Sequence, residues 1–480
     1  MSSWASRLDA RSARSLIVGA GLCWSVAFPL IAIFYQLELY GDGAMFSYAV
    51  AVQDVWAFHW HNISGRTSVF LLTLLPAEAL VASTGNPWTG IIGYGLLFYI
   101  FPLVGLAVTY ATDRSPGRII FVYGCASTAL LCPLIFGFPT EMWLAHAIFW
   151  PTLALSHYAK PTRLGALLVF AAWLLLAFTH EAALVLLLAI TATLMPRGLW
   201  SATFVRAAIS LTIILILAAA TKIALPPDDY YAGAFLRAAL HFFDLEIFKV
   251  AVVLLLLAAV LAYGAILAPL SIWFSRGACI GALGLLLGML SIYWLHFDHS
   301  VHASSRYYLR TALVIATPVL GALAAITAMT REGIILNRPA GLRHALVSPR
   351  GKMLCALAAI FLVVSVIHAI ETAKFVTSWI NYRNAIAALA MSSESDPELG
   401  DPRFVSAERI SPTLAPLSWF STIPYLSIVL SNFSPSRLVI DPAGNYFWLG
   451  CATATRNKEA ELAVPVQTRE LIQVYSCLHR

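Results

Sequence analysis

Residues 40–68, YGDGAMFSYAVAVQDVWAFHWHNISGRTS, decide how the rest of the chain is read. They follow the first long apolar segment directly, and they are far longer than a plain connection between two membrane helices requires. A Gly-Asp-Gly turn opens the stretch, and a mostly apolar, aromatic helix is expected after it. Trp56 and Trp60 suit headgroup depth, so this helix is expected to lie along a membrane surface. Asp42, framed by Gly41 and Gly43, then falls where the first spanning helix meets the surface helix, on a backbone able to turn tightly. Asp54, His59, His61 and Arg66 are the stretch's other charged or imidazole side chains.

Composition places the whole chain in a membrane. With 480 residues, 60% hydrophobic and 11% charged, it carries repeated apolar runs of spanning length and too little polar surface for an ordinary soluble globule. The net charge of +6 does not point to nucleic acid, because no basic cluster with interleaved aromatics occurs and the basic residues sort by loop. Cys23, Cys125, Cys132, Cys279 and Cys355 fall in apolar segments and read as small core residues. Cys451 and Cys477 lie in the polar C-terminal region, where an oxidising compartment predicts a disulfide between them. The predominance of Arg over Lys and the abundance of Ala suggest a bacterial source with a GC-rich genome.

Apolar length predicts an all-α polytopic protein of about eleven spans. They are placed near 15–37, 90–110, 119–136, 143–157, 164–178, 182–194, 207–223, 249–267, 278–295, 308–329 and 353–368. The run 69–81 is short and carries Pro76 and Glu78, so it reads as a second surface or re-entrant helix inside a first outer loop covering 38–89. This assignment puts Arg7, Arg11, Arg14, Arg114, Arg118, Lys160, Arg163, Arg197, Arg206 and Arg331 on one side. By the positive-inside bias that side is cytoplasmic, as is the N-terminus. Acids gather on the other side, where orientation does not require them. Residues 1–370 form the predicted membrane domain, and 371–480 a small α/β extracytoplasmic domain that begins with an amphipathic helix.

The outer acids and cations mark candidate chemistry. Glu141 lies in a tight outer hairpin and His180 and Glu181 in another, where a charge is costly unless it meets a partner or a cavity. The loop 225–246 has the length of a gate or lipid-binding flap. His296, Asp298, His299 and His302 match no specific metal signature. Arg306 and Arg310 stack at i and i+4 if a helix begins near them, and two guanidiniums so placed can grip one phosphate, with Lys222 as a helper. Asp42, held where a span meets a surface helix, is suited to act as a base at a membrane face.

These features together resemble the GT-C superfamily of membrane glycosyltransferases, which includes oligosaccharyltransferases, protein O-mannosyltransferases and the bacterial enzyme that adds aminoarabinose to lipid A. The resemblance is architectural and covers the membrane part. It implies a polyprenyl-phosphate-linked sugar donor, a lipid or glycan acceptor, and a role at the reaction centre for Asp42 with Glu141 as the second-loop acid. It also implies an inner-membrane location. The hairpin carries Pro-Thr-Glu-Met and lacks the Asp-x-Glu pair of the metal-using oligosaccharyltransferases, which disfavours a divalent cation as cofactor. No Trp-Trp-Asp signature occurs, which disfavours a peptide acceptor. The mechanism expected is inverting. Asp42 takes the acceptor proton, the arginines meet charge on the departing phosphate, and Glu141, His180, Glu181, Asp54 and the histidines orient substrate. Two other classes remain: a transporter or flippase with the outer acids and histidines as an ion relay, and a non-catalytic membrane accessory subunit.

Overall fold

The computed structural model describes residues 10–53, 66–224, 303–334, 351–393, 404–419 and 422–441. Side chains are described from 12 in the first of these segments, from 313 in the third and from 361 in the fourth. The spans expected at 249–267 and 278–295, the flap 225–246 and the Cys451–Cys477 disulfide lie outside the described residues.

The chain is mostly helical, with little sheet. Helix α1 (Ala10–Tyr35) leads through the turn Leu37–Leu39 into α2 (Gly43–Ala51). Then come α3 (Thr67–Thr84), α4 (Pro87–Tyr99), α5 (Phe101–Thr112), α6 (Ile119–Ile135) and α7 (Met142–Tyr158). Helices α8 (Arg163–Ala177), α9 (Ala183–Leu194), α10 (Ala202–Ala224), α11 (Ala303–Arg331) and α12 (Gly351–Ala390) complete the bundle. Among the described residues, five helices are long and apolar enough to cross a membrane, or six if α4 and α5 count as one broken span.

Local chemistry explains the breaks. The segment expected as one span at 90–110 is two helices meeting at 42°. The bend falls beside Pro102, whose ring removes a backbone donor and crowds the preceding turn. Asn86 starts α4 by accepting the Trp88 N–H on its side chain at 2.9 Å. Close approach then replaces polar attraction in holding the helices together. A Cβ on Gly105 of α5 would lie 2.3 Å from the Ala147 carbonyl of α7, so only glycine allows that contact.

Helix α3 is long enough by composition to span, yet its ends face one side. It takes a π-helical turn at Phe70–Leu74, just before Pro76, where the regular bonding pattern is interrupted. At its start, Ser68 N–H donates to the Phe178 carbonyl at 3.0 Å, and Arg66 reaches Glu141. Just beyond its end, the Trp88 indole donates to Asn432 at 2.9 Å. These partners all belong to the end of the bundle where α1 finishes.

The opposite end is tied by Glu332, which accepts from the Tyr158 hydroxyl and from Arg197 at 2.9 Å. Arg197 also donates to His157 at 3.2 Å, and Arg206 donates to the Lys160 carbonyl at 3.0 Å. Lys160, Arg197 and Arg206, which the charge pattern sorts to one side, therefore do meet at one end.

Helix α12 differs from the expectation of a span at 353–368 followed by a separate amphipathic helix. It runs unbroken for 40 residues, about 60 Å, twice the thickness of a bilayer core. Trp379 and Arg383 on α12 donate to the Tyr35 carbonyl at 2.9 and 3.2 Å, so the helix passes the end of α1 and continues beyond it. There the chain forms β1 (Phe404–Ser406), α13 (Ile423–Leu430) and β2 (Leu438–Ile440), with the strands parallel in the register Phe404↔Leu438. The apolar run ending in YLSIVLS is helix α13, while SRLVIDP supplies the strand β2. Arg437 fastens this unit to the end of α12 through the Ser392 and Ser393 carbonyls.

Candidate functional site

Asp42 sits at the first residue before α2, but its side chain does not cap that helix. Its Oδ1 instead accepts the Trp419 indole N–H at 2.9 Å, across 377 positions of sequence. The surrounding turn is fixed by crowding. Gly41 has φ +59°, and a Cβ there would lie 2.7 Å from the Phe138 ring. Gly43 leaves its Cβ position 2.1 Å from the Glu38 carbonyl oxygen and 2.7 Å from Pro139. Phe138 meets Trp419 edge to face at 5.4 Å. The hairpin between α6 and α7 and the C-terminal segment thus both press on the Gly-Asp-Gly turn.

That hairpin delivers Glu141. Its Oε1 accepts from the Arg66 guanidinium, and the pair is largely buried, with 7% of the Glu141 and 17% of the Arg66 side chain exposed. Arg66 Nε also lies 3.9 Å from Glu181, whose other oxygen is 3.6 Å from Lys222 Nζ. Two hairpins, the start of α3 and the end of α10 are therefore joined by one chain of charges. His180 Nδ1 is 3.8 Å from Glu181, but that nitrogen accepts the Ala182 N–H at 3.0 Å and so carries no proton toward the acid. Tyr94, buried on α4, lies within electrostatic reach of Glu141, Asp42 and Glu38.

Glu38 is the unexpected member. It is fully buried in the turn before Asp42, and among the described residues neither carboxylate oxygen has a hydrogen-bond partner on another residue. Burial pushes its carboxyl up to about 8, with its own amide and Arg383 opposing more weakly. The sign for stability follows. Unfolded, the group ionises near 4.5; folded, it keeps its proton to about 8, so its contribution falls as pH rises through that window and is level above it. Glu38→Gln is expected to gain in melting temperature over the wild type between pH 5 and pH 8. Intrinsic fluorescence melts in detergent measure this, and a difference that stays constant with pH would refute it.

Among the residues singled out in the sequence, the structure joins Glu141, His180, Glu181 and Lys222, while Asp42 shares with Glu141 only electrostatic reach of Tyr94. Lys222, read as a phosphate helper, is bound to Glu181. Arg306 and Arg310 fall four residues apart near the start of α11, with side chains outside those described. Asp54, His59, His61, His296, Asp298, His299 and His302 lie outside the described residues. Among the described residues, no three His, Cys, Asp or Glu side chains gather as a metal site requires.

Sequence reasoning gave no role to Arg66, Trp419, Glu38 or Tyr94. Arg66 did carry a signal, as the one Lys or Arg in the 40–68 stretch. No protein-family model matches the chain, and no curated protein is similar to it.

Proposed function

We propose that the chain is an inverting membrane glycosyltransferase that moves a sugar from a polyprenyl-phosphate donor to the hydroxyl of a lipid or glycan acceptor. The observation that carries this reading is Asp42. It is a carboxylate on a fixed turn, aimed by an indole N–H rather than spent on its own helix, and it shares electrostatic reach of Tyr94 with the buried acids Glu38 and Glu141. In the reaction, Asp42 removes the acceptor hydroxyl proton as that oxygen bonds to the anomeric carbon. The carbon–oxygen bond to the phosphate breaks, and the phosphate leaves with the electron pair. Arg306, Arg310 and cations of the Arg66 network stabilise charge on the leaving group.

In this reading the Asp42 end faces outward and the end bearing Arg14, Arg197 and Arg331 faces the cytoplasm of a bacterial inner membrane. Helix α3 lies on the outer side as a surface helix, the spans number about eleven when the shorter helices α6–α9 and the segments 249–267 and 278–295 are counted as crossing, and the C-terminal unit roofs the site. Glu141 and Glu181 are each engaged by a fixed cation, an arrangement that fits anchoring better than ion passage.

The test is transfer in proteoliposomes holding the purified chain, a panel of polyprenyl-phosphate sugars and membrane-lipid or glycan acceptors, with products identified by mass spectrometry. A glycosylated acceptor supports the assignment; lipid or ion movement without any sugar transfer across the panel would overturn it. Trp419 supplies a finer check. Trp419→Phe keeps an aromatic ring beside Phe138 and removes the N–H, so turnover is expected to fall about tenfold, the worth of one hydrogen bond to a charged group, with melting temperature nearly unchanged. Parental turnover in that variant would remove Trp419 from the mechanism.

A further inference from the structure

At the end of the bundle opposite Asp42, α1 and α11 both pack on α6. Their polar ends bring two guanidinium groups to one point. The Nη1 atoms of Arg14 and Arg331 lie 3.4 and 3.5 Å from the position a Cβ would take on Gly117, in the turn before α6. The two nitrogens are therefore within about 7 Å of each other, a separation at which like charges repel unless an anion lies between them.

Among the described residues no carboxylate forms an ion pair with either arginine, and the nearby acids are committed elsewhere. Asp113 is buried and accepts the Ser115 and Phe121 N–H groups at 2.8 and 2.9 Å. Glu332 is held by Tyr158 and Arg197. A third guanidinium, Arg118, stands 3.6 Å over the Tyr110 ring in the same turn.

We propose that Arg14 and Arg331 form a seat for one phosphate group, the space being kept open by the missing side chain of Gly117. A phosphate accepts from two guanidiniums at once, and its charge relieves their repulsion. The ligand is the headgroup of an anionic phospholipid. Exposed apolar side chains flank the turn: Val108 and Tyr110 on α5, which leads into it and whose Tyr110 ring lies under Arg118, and Ile326 on α11, five residues before Arg331, where acyl chains can rest. The inference does not depend on the glycosyltransferase reading.

The full chain, delipidated in detergent, is melted with phosphatidylglycerol, phosphatidylcholine or inorganic phosphate, and bound lipid is counted by native mass spectrometry. Phosphatidylglycerol is expected to raise the melting temperature well above the effect of phosphatidylcholine. Arg14→Gln and Arg331→Gln should each weaken its apparent affinity about tenfold, while Arg163→Gln should not. Arg331→Glu gives Arg14 a partner in place of the phosphate. That variant should melt higher than the wild type without lipid and no longer respond to phosphatidylglycerol. A full response to inorganic phosphate alone would keep the seat but overturn the lipid assignment. Equal responses to both lipids, or a wild-type response in the arginine variants, would overturn the proposal altogether.

Discussion

Asp42→Asn is expected to lower sugar transfer by roughly a hundredfold or more while leaving the protein folded and its donor bound, because it removes a general base and keeps the side chain's shape. The asparagine still offers an oxygen to the Trp419 indole, so the turn between Gly41 and Phe138 should survive. Single-turnover assays with saturating donor separate the two effects. A drop in the chemical step with unchanged donor affinity is the expected pattern. Near-parental turnover in a folded Asp42→Asn protein, with activity abolished by Glu141→Gln, would transfer the base to Glu141. Full activity in both variants would end the glycosyltransferase proposal.

Arg66→Ala should have the largest effect on the fold. Glu141 would remain buried, with 7% of its side chain exposed, and would lose the guanidinium that Oε1 contacts. Breaking a buried pair from one side typically costs about 3–5 kcal/mol, since the remaining charge is left without compensation. The same change loosens Glu181, and with it the link between the two hairpins. Arg66→Met combined with Glu141→Gln removes both charges at similar volume, so it should recover most of the lost stability without recovering transfer. Melting temperatures of Arg66→Met, Glu141→Gln and the double variant form the cycle that measures this coupling. Additive losses would show that the pair contributes no coupling.

The helices and their broad sorting were legible because apolar length and the charge bias are local properties of sequence. So was the Asp42 turn, since Gly-Asp-Gly at the end of an apolar run has few uses. The partners of Asp42 and Glu141 were not. Trp419 and Arg66 reach them from 377 and 75 positions away, and no periodicity reports a contact of that kind. Glu38 was counted only among the outer acids, for another reason. A lone acid after a span reads as a solvated loop residue, and its burial depends on α4 placing Gly95 against it. The continuity of α12 could have been read. Between 352 and 391 no Gly or Pro interrupts the chain, and the change from apolar to amphipathic pattern at Glu371 alters what covers the helix without breaking its hydrogen bonds.

The length of α12 has a mechanical consequence. A stiff rod of about 60 Å pinned at Trp379 and Arg383 to the carbonyl at the end of α1 is a lever with its fulcrum near one end. The long arm, about thirty residues, belongs to a helix long and apolar enough to cross a membrane. The short arm carries the β1–α13–β2 unit, tied on by Arg437, and Trp419 belongs to the same segment of chain. Any change of tilt in the long arm reaches the short arm reduced about threefold in amplitude and increased in force by the same ratio. A change of bilayer thickness, to which long helices can respond by tilting, would thereby have a path to the indole that holds Asp42.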